Sequence, residues 1–204
     1  MNVIVHLMFS YRMRKIIKEE SGITLNLFGF MFGNILPDLS TRFDSQPHNM
    51  NGSLNFIIKR TGGLLSHSKT KVARNSYQYS KNLGVITHYL SDFFCYPHQK
   101  HYNKGLKDHG IYEMIMIAKY RKGIKNYRQN FAHHYHSLAP NDFKKWIHEK
   151  NVIYNNQEVT CMNDISHALY ASSMISRSIL LHQNDEVTEA LCDPYNIALQ
   201  KCPT

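Results

Sequence analysis

The chain has 204 residues, of which 43% are hydrophobic and 19% are charged. The charged fraction lies below the roughly 25% usual for a soluble protein, so a disordered, highly charged chain is excluded. A chain of this length closes one hydrophobic core more readily than two, so we expect a single domain over residues 1–204. Asn, Asp, Lys or His interrupts every apolar stretch before it reaches the roughly 20 residues of a membrane helix.

Two features of the sequence bear on the cellular compartment. In the N-terminal segment MNVIVHLMFSYRMRK, the apolar stretch precedes the basic residues and no small-residue cleavage site follows, which is the reverse of a secretory signal. The cysteines, at positions 95, 161, 192 and 202, form no Cys-x-x-Cys pair, so neither a thiolate zinc site nor a redox motif is predicted. We therefore expect a cytoplasmic protein with reduced cysteines.

The formal net charge of +9 raises the question of an anionic partner. The basic residues occur in short runs at Arg12–Lys18, Lys69–Arg74 and Lys119–Arg128, without a long tail or a DNA-binding motif. Nucleic acid is therefore the less favoured partner. Steering of a small anionic substrate and ordinary solvated helix faces both explain this distribution of charge.

Helical periodicity is common along the chain, and sustained alternation typical of strands is almost absent. We predict an all-α fold, a single multi-helical domain with a metal cluster in a cleft between helices. The first helices are predicted over about His6–Glu20, closed by Gly22; over a buried segment that leads into a turn at Gly33–Leu39; and over SLNFIIKR, capped by Ser53. Later helices are predicted over about Lys71–Phe94, the longest, which Pro97 stops; Asp108–Tyr120; Ile124–His133; Asn141–Lys150; Asn163–Leu181; and Asp185–Gln200.

Chemistry-bearing residues are concentrated between positions 88 and 113. His88 and Asp92 are four residues apart on a predicted helix, so both side chains leave the same face. His109 and Glu113 repeat this spacing, and His98 lies between the two pairs. One such pair is more typical of an ordinary ion pair, but two pairs and a histidine among Tyr, Phe and Leu favour a metal site. Imidazole nitrogen and carboxylate oxygen are ligands of zinc.

The pattern H-x-x-x-D, a His six residues after the Asp, and H-x-x-x-E, preceded by Leu-Gly, resembles the zinc-dependent phospholipase C family. This family shares its fold with the fungal single-strand-specific nucleases. The resemblance implies an all-helical protein with three zinc ions in a cleft. It also implies that His88 and Asp92 bind the first metal, with Asp92 bridging to another, and that His98, His109 and Glu113 form a separate ligand set.

The same resemblance suggests ligands farther upstream. Asp38, in the segment GNILPDL, would lie near the first metal on a turn fixed by Pro37 and would serve as a ligand or as a general base. For a further ligand, the choice is His48 or His67, and we prefer His48 because the family places this histidine just before a helix. His6 would bind the third metal.

The third metal is where this sequence departs from the secreted members of the family. In those enzymes the amino group and carbonyl of a processed N-terminal residue complete the site. Here the sequence starts with Met1 and His6 follows five residues later. The amine of Met1 would coordinate only by folding back over His6, so we expect two or three zinc ions.

The remaining histidines carry weaker expectations. The cluster of His133, His134 and His136 lacks an acidic partner and is interpreted as a solvated helix end. His101 lies close to His98 and is a candidate substitute ligand or supporting residue. Packed or exposed positions without metal-ligand spacing are expected for His148, His167 and His182.

These residues predict a zinc-dependent phosphodiester hydrolase in which metal-bound hydroxide attacks phosphorus. We expect the ligand region over about residues 6–113 and supporting helices over about 114–204. The substrate would be a phosphodiester such as a phospholipid head group, with transient contact to a membrane surface. Two alternatives remain: a non-catalytic zinc-binding helical protein and a nuclease-type phosphodiesterase. The candidate ligands are too few to close three tetrahedral sites, which favours an enzyme with open positions.

Overall fold

The computed structural model describes residues 1–67, 74–131 and 137–191, of which 67 and 183–191 are described through their backbone alone. This described part forms seven α-helices and no strand, so the predicted all-α fold is confirmed. The helices are α1 (Val3–Ser21), α2 (Leu27–Leu39), α3 (Met50–His67), α4 (Tyr77–Phe93), α5 (Leu106–Asn130), α6 (Phe143–Asn155) and α7 (Cys161–Leu191). None of them is both long enough and apolar enough to cross a bilayer.

Helix α1 confirms the first prediction and extends it at both ends. The side chain of Asn2 caps the helix by accepting a hydrogen bond from the backbone N–H of Val5 (2.9 Å). Gly22 ends it with a φ of 70°, a left-handed conformation that glycine adopts without steric cost, and its N–H bonds to the carbonyl of Lys18. The early start places His6 in the first turns of α1, with its side chain fully buried.

Two predictions about the next helices are wrong. The expected turn at Gly33–Leu39 is helical, because α2 continues through Pro37 and ends only two residues later. Proline removes one backbone hydrogen bond at this point, and the helix tolerates the loss in its last turn. Ser53 does not cap α3, because the helix already begins at Met50, where Asn49 accepts a hydrogen bond from the N–H of Gly52 (3.0 Å). Asp38 therefore lies on a helix end and not on a turn.

Two pairs of predicted helices are single helices in the structure. Helix α5 runs without a break through Gly123, which sequence reasoning treated as a boundary. A Cβ atom at Gly123 would lie 2.6 Å from the Cβ of Ile165, so this glycine allows α5 to approach α7. Helix α7 likewise continues through the predicted break near position 182 as far as Leu191. Close packing, and not chain reversal, explains the small residue in α5.

The other predicted boundaries shift by a few residues. Helix α4 begins at Tyr77 and not at Lys71, because Ser76 caps it by accepting from the N–H of Tyr79 (3.2 Å). At 17 residues α4 is shorter than α7, which has 31, so it is not the longest helix of the described chain. Helix α6 starts at Phe143 after a 3-10 turn at Pro140–Asp142. Residues 68–73, His133 and the segment after Leu191 lie outside the described residues.

Helices α2 and α4 approach each other closely through glycines. A Cβ atom at Gly33 would lie 3.0 Å from the Cα of Gly84 and would overlap the carbonyl group of Lys81. A Cβ atom at Gly84 would lie 2.5 Å from the carbonyl oxygen of Phe30. Backbone meets backbone here, so neither position has room for a side chain. This contact fixes the position of the end of α2 relative to α4.

Replacement of Gly33 with alanine should destabilise the protein. The added methyl group overlaps backbone atoms of α4, and overpacking of this kind costs roughly 1–3 kcal/mol. The matched control is Gly62→Ala in α3, where a Cβ atom meets nothing within 4 Å, and where alanine should raise the free energy of unfolding by roughly 0.5–1 kcal/mol. Urea unfolding measures both changes. Equal effects of the two substitutions would contradict the close packing of α2 on α4.

Candidate metal centre

Six segments bring polar side chains to one place in the described structure. The N-terminal turns of α1 carry His6, the end of α2 carries Asp38, and the loop before α3 carries His48. Helix α4 contributes two further residues from its last turns, the 3-10 turn at Tyr96–His98 contributes His98, and the start of α5 contributes two more. The ligand atoms fall into three groups, each with all atoms within 4.8 Å of one another: His6, His88 and Asp92; Asp38, His48 and His88; and His98, His109 and Glu113.

His88 belongs to two of the groups and is held in a defined orientation. Its Nδ1–H donates to the backbone carbonyl of Asn34 in α2 (2.8 Å), which leaves the lone pair of Nε2 for the site. Burial and the neighbouring His6 lower the pKa of His88 well below its usual value. The ring is therefore neutral, which is the state in which imidazole binds a metal.

Asp92 lies between the groups with its two oxygens facing different neighbours. Oδ1 lies 3.4 Å from Nε2 of His6, and Oδ2 lies 3.0 Å from Nδ1 of His48. The carboxylate is fully buried. Burial raises the pKa of Asp92, but the α-amine of Met1 and the surrounding imidazoles outweigh it and hold the pKa well below the usual range. The geometry suits a carboxylate that bridges two cations.

His6 provides an observation that favours an ion at the first group. Its ring stacks on the ring of His88 with a centroid distance of 4.0 Å. Its Nε2 atom is buried and has no hydrogen-bond partner among the described residues, although two carboxylates lie 3.4 and 3.9 Å away. A buried nitrogen that faces carboxylates without a hydrogen bond is the arrangement expected of a metal ligand. The donor atoms of this group therefore fit zinc.

The third group contains one more nitrogen than sequence reasoning assigned to it. Nε2 of His109 lies 3.0 Å from Oε1 of Glu113, and the α-amine of Met1 lies 2.7 Å from Nε2 of His98 and 2.5 Å from Oδ1 of Asp92. Burial, together with the positive amine, lowers the pKa of His98 to about 3. The amine thus lies beside His98 and Asp92, whereas the sequence prediction placed it over His6.

Asp38 is the most open carboxylate of the first two groups. Its Oδ1 lies 3.5 Å from Nδ1 of His48 and 3.7 Å from Nε2 of His88, and 19% of its side chain is exposed. Burial raises the pKa of Asp38, although the neighbouring His6 opposes this effect. A partly exposed carboxylate at the edge of the groups can reach solvent or a bound molecule as well as an ion.

The remaining candidate histidines, His67, His101, His148 and His167, lie outside the three groups. His48 lies two residues before α3, whereas His67 ends that helix, about 27 Å away along an axis that rises 1.5 Å per residue. His101 is exposed beside His98, outside the three groups. His148 is exposed, and His167 is buried against Gln157. The cluster at positions 133–136 lies outside the described residues.

Sequence reasoning missed Asp164, a buried residue of α7 that supports the centre. Its carboxylate accepts hydrogen bonds from the N–H of Tyr96 (2.9 Å), the hydroxyl of Tyr112 (2.9 Å) and the hydroxyl of Tyr154 (2.7 Å). Tyr96 opens the 3-10 turn that carries His98, and Tyr112 precedes Glu113. Asp164 thereby ties the third group to α6 and α7. In the sequence, Asp164 stands beside Asn163 at the start of a predicted helix, where it indicates a helix cap and not a support for the centre.

The part of the chain that the structure describes is an all-helical protein with three adjoining histidine and carboxylate groups suited to metal ions. The family model for zinc-dependent phospholipase C matches residues 5–161. The chain therefore belongs to the zinc-dependent phospholipase C family, and the family supports a phosphodiesterase-type hydrolase. Neither a curated protein nor a solved structure matches the chain.

The substitution Asp164→Asn should lower stability by roughly 1–3 kcal/mol, because an amide nitrogen would face donors that now meet an acceptor. Burial raises the pKa of Asp164 from 3.8 to about 6. A carboxyl with a raised pKa contributes most below its unfolded pKa and less as the pH rises through its folded pKa. The stability difference between the wild type and the variant should therefore shrink from pH 4 to pH 7. Urea unfolding at both pH values, with chelator present, measures this difference, and a constant difference would contradict the assignment.

Proposed function

We propose that this protein is a zinc-dependent phosphodiesterase of the phospholipase C type. The observation that carries the proposal is the overlap of two ligand groups at His88, with Asp92 of the first group 3.0 Å from His48 of the second, so the candidate metal positions are close together. Closely spaced ions are the arrangement that phosphoester hydrolysis uses. Family membership supports the same reaction class.

The residues that would hold the ions are those of the three groups. His88 has one free lone pair, at Nε2, and would therefore bind a single ion, either with His6 and Asp92 or with Asp38 and His48. Another ion would be bound by His98, His109 and Glu113. Zinc at these positions would lower the pKa of a bound water and neutralise charge on the phosphate. Eight side chains are too few to complete three tetrahedral sites, so positions remain open for water and substrate.

The chain's own contribution to the reaction centres on Asp38. Hydrolysis forms a bond between a water oxygen and phosphorus and breaks the bond from phosphorus to the alcohol oxygen, which leaves with a proton. A general base must accept the proton of the water from within hydrogen-bond reach. Asp38 suits this role because its carboxylate borders the second group and remains partly exposed. His88 and Asp92, fixed by burial, would hold the site rigid during the reaction.

The open positions argue against a purely structural zinc protein. Structural zinc sites are closed by four protein ligands, whereas catalytic sites keep one position for water or substrate. The groups in this structure contain three side chains each, and His88 belongs to two of them. His48 and Asp38 are also partly exposed, at 25% and 19%, so the second group is accessible to a small molecule.

The substitution Asp92→Asn should remove zinc together with activity. The amide cannot supply the negative charge that faces His6 and His48, and the rate should fall about 100-fold. Metal analysis and hydrolysis of bis(4-nitrophenyl) phosphate, with and without chelator, measure the two effects. The control is Asp142→Asn, at an exposed carboxylate before α6. A zinc-free Asp92→Asn protein that keeps full activity would rule out the proposed mechanism.

A different outcome is expected for Asp38→Asn. If Asp38 is the general base, the variant should keep its zinc and lose roughly 10²–10⁴-fold in kcat. The zinc content is measured on the same preparation as the rate, so that loss of metal is separated from loss of the base. A variant that loses zinc would show that Asp38 is a ligand, and an unchanged kcat would exclude both roles.

A further inference from the structure

A cleft of about 430 Å³ opens beside the metal centre, and His48 and His98 form part of its wall. This volume lies within the range of about 300–1,000 Å³ usual for small-molecule sites. Both histidines also belong to the candidate metal groups. A phosphodiester whose phosphate lies at the metals would therefore extend one of its substituents into this cleft.

Amide side chains from two sides of the cleft are held in fixed orientations. Asn151 donates to the carbonyl of Phe93 (2.5 Å) and accepts from Nδ2 of Asn155 (2.9 Å). Gln99 donates through Nε2 to the carbonyls of Phe93 (2.9 Å) and Cys95 (3.1 Å). The oxygens of Asn155 and Gln99 have no partner among the residues that the structure describes, so they remain acceptors for a ligand.

The segment at the start of α3 adds hydrogen-bond donors to the lining. The oxygen of Asn49 accepts from the N–H of Gly52 (3.0 Å), which leaves its NH₂ group available. Asn51 is exposed and forms no hydrogen bond with the described residues, so its amide offers both donors and an acceptor. The lining thus presents amide donors together with amide acceptors. A hydroxyl group both donates and accepts, so a ligand with several hydroxyls matches this lining.

The charge of the lining excludes another class of head group. Among the described residues that line the cleft, none is Asp, Glu, Phe, Tyr or Trp. A quaternary ammonium group is bound by aromatic faces, so the cleft lacks the side chains that such a group requires. Lys100 is exposed in the wall and would repel a cationic head group. The lining therefore favours an uncharged, hydroxyl-rich substituent over a cationic one.

We propose that this cleft binds the uncharged polyol head group of a phosphodiester substrate. It disfavours a quaternary ammonium head group. The proposal rests on the proposed phosphodiesterase function and defines its substrate class. Hydrolysis would release an alcohol and the phosphorylated polyol, with the phosphate lying at the metal groups. The amides of Asn51 and Asn155 determine the selectivity.

The test compares kcat/KM of the zinc-loaded protein on vesicles of phosphatidylinositol, phosphatidylmethanol and phosphatidylcholine. The first two lipids carry the same phosphodiester charge and differ in their hydroxyls, so a preference between them does not come from attraction to the basic surface. We expect the polyol lipid to be hydrolysed fastest and the choline lipid slowest. Equal rates on the polyol and methyl lipids, or the fastest hydrolysis of the choline lipid, would overturn the proposal.

The double substitution of Asn51 and Asn155 with leucine should reduce the preference for the polyol lipid over the methyl lipid by about tenfold, the effect of losing two hydrogen bonds. Its rate on bis(4-nitrophenyl) phosphate should remain that of the wild type. Asn156→Leu is the matched control, because Asn156 is an exposed amide of the same segment outside the cleft. A preserved preference in the double variant would refute the assignment of these amides.

Two further measurements complete the test. One compares lipid-bound with soluble head groups, and the other distinguishes failure of the cleft assignment from failure of the proposed function. Soluble glycerophosphoinositol and glycerophosphocholine show whether the cleft reads the head group without a lipid, and a polyol preference in either format supports the proposal. Hydrolysis of bis(4-nitrophenyl) phosphate without any polyol preference would overturn the cleft assignment alone. The absence of phosphodiester turnover by fully zinc-loaded protein would instead refute the proposed function and, with it, the substrate class.

Discussion

The arrangement of the centre depends on the buried carboxylate of Asp92. A carboxylate that is fully removed from water requires positive or hydrogen-bonding partners, because the uncompensated charge costs several kcal/mol. Asp92 finds them in nitrogens from two separate segments: the α-amine of Met1 and His6 at the N-terminus, and His48 before α3. The buried negative charge of Asp92 therefore also holds these nitrogen atoms close to one another. The four-residue spacing between His88 and Asp92 places both side chains on the same face of α4.

The glycine contact between α2 and α4 fixes the orientation of one of these donor residues, His88. The backbones of the two helices touch at Gly33 and Gly84, next to the residues that matter for the centre. This short separation allows the carbonyl of Asn34 to accept from Nδ1 of His88, which fixes the tautomer and the ring plane. Thr87 bonds the side-chain oxygen of Asn34 in addition (3.1 Å). If α2 and α4 were farther apart, the hydrogen bond between His88 and the carbonyl of Asn34 would be lost. The orientation of this candidate ligand therefore depends on the packing of the core.

The sequence predicted what depends on local spacing and missed what depends on distant contacts. The all-α class follows from helical periodicity, and the two His and carboxylate pairs follow from their four-residue spacing on α4 and α5. The continuity of α5 through Gly123 was missed, because its reason is the side chain of Ile165 on another helix. Asp164 was missed for the same reason, since its partners come from three other segments. Neither contact leaves a periodic signal near the residue itself.

The charge of the centre is opposite to the charge of the whole chain. The formal net charge is +9, yet Asp38, Asp92 and Glu113 contribute three carboxylates to the three groups, and the α-amine of Met1 is the positive group that lies against two of them. Two negative groups about 5 Å apart repel by about 3 kcal/mol at an effective dielectric constant of about 20. One positive amine does not balance three carboxylates, so a phosphodiester would be repelled from the groups as long as they hold no cation. Cations bound by the groups reverse the local sign, so in the proposed enzyme metal binding must precede substrate binding.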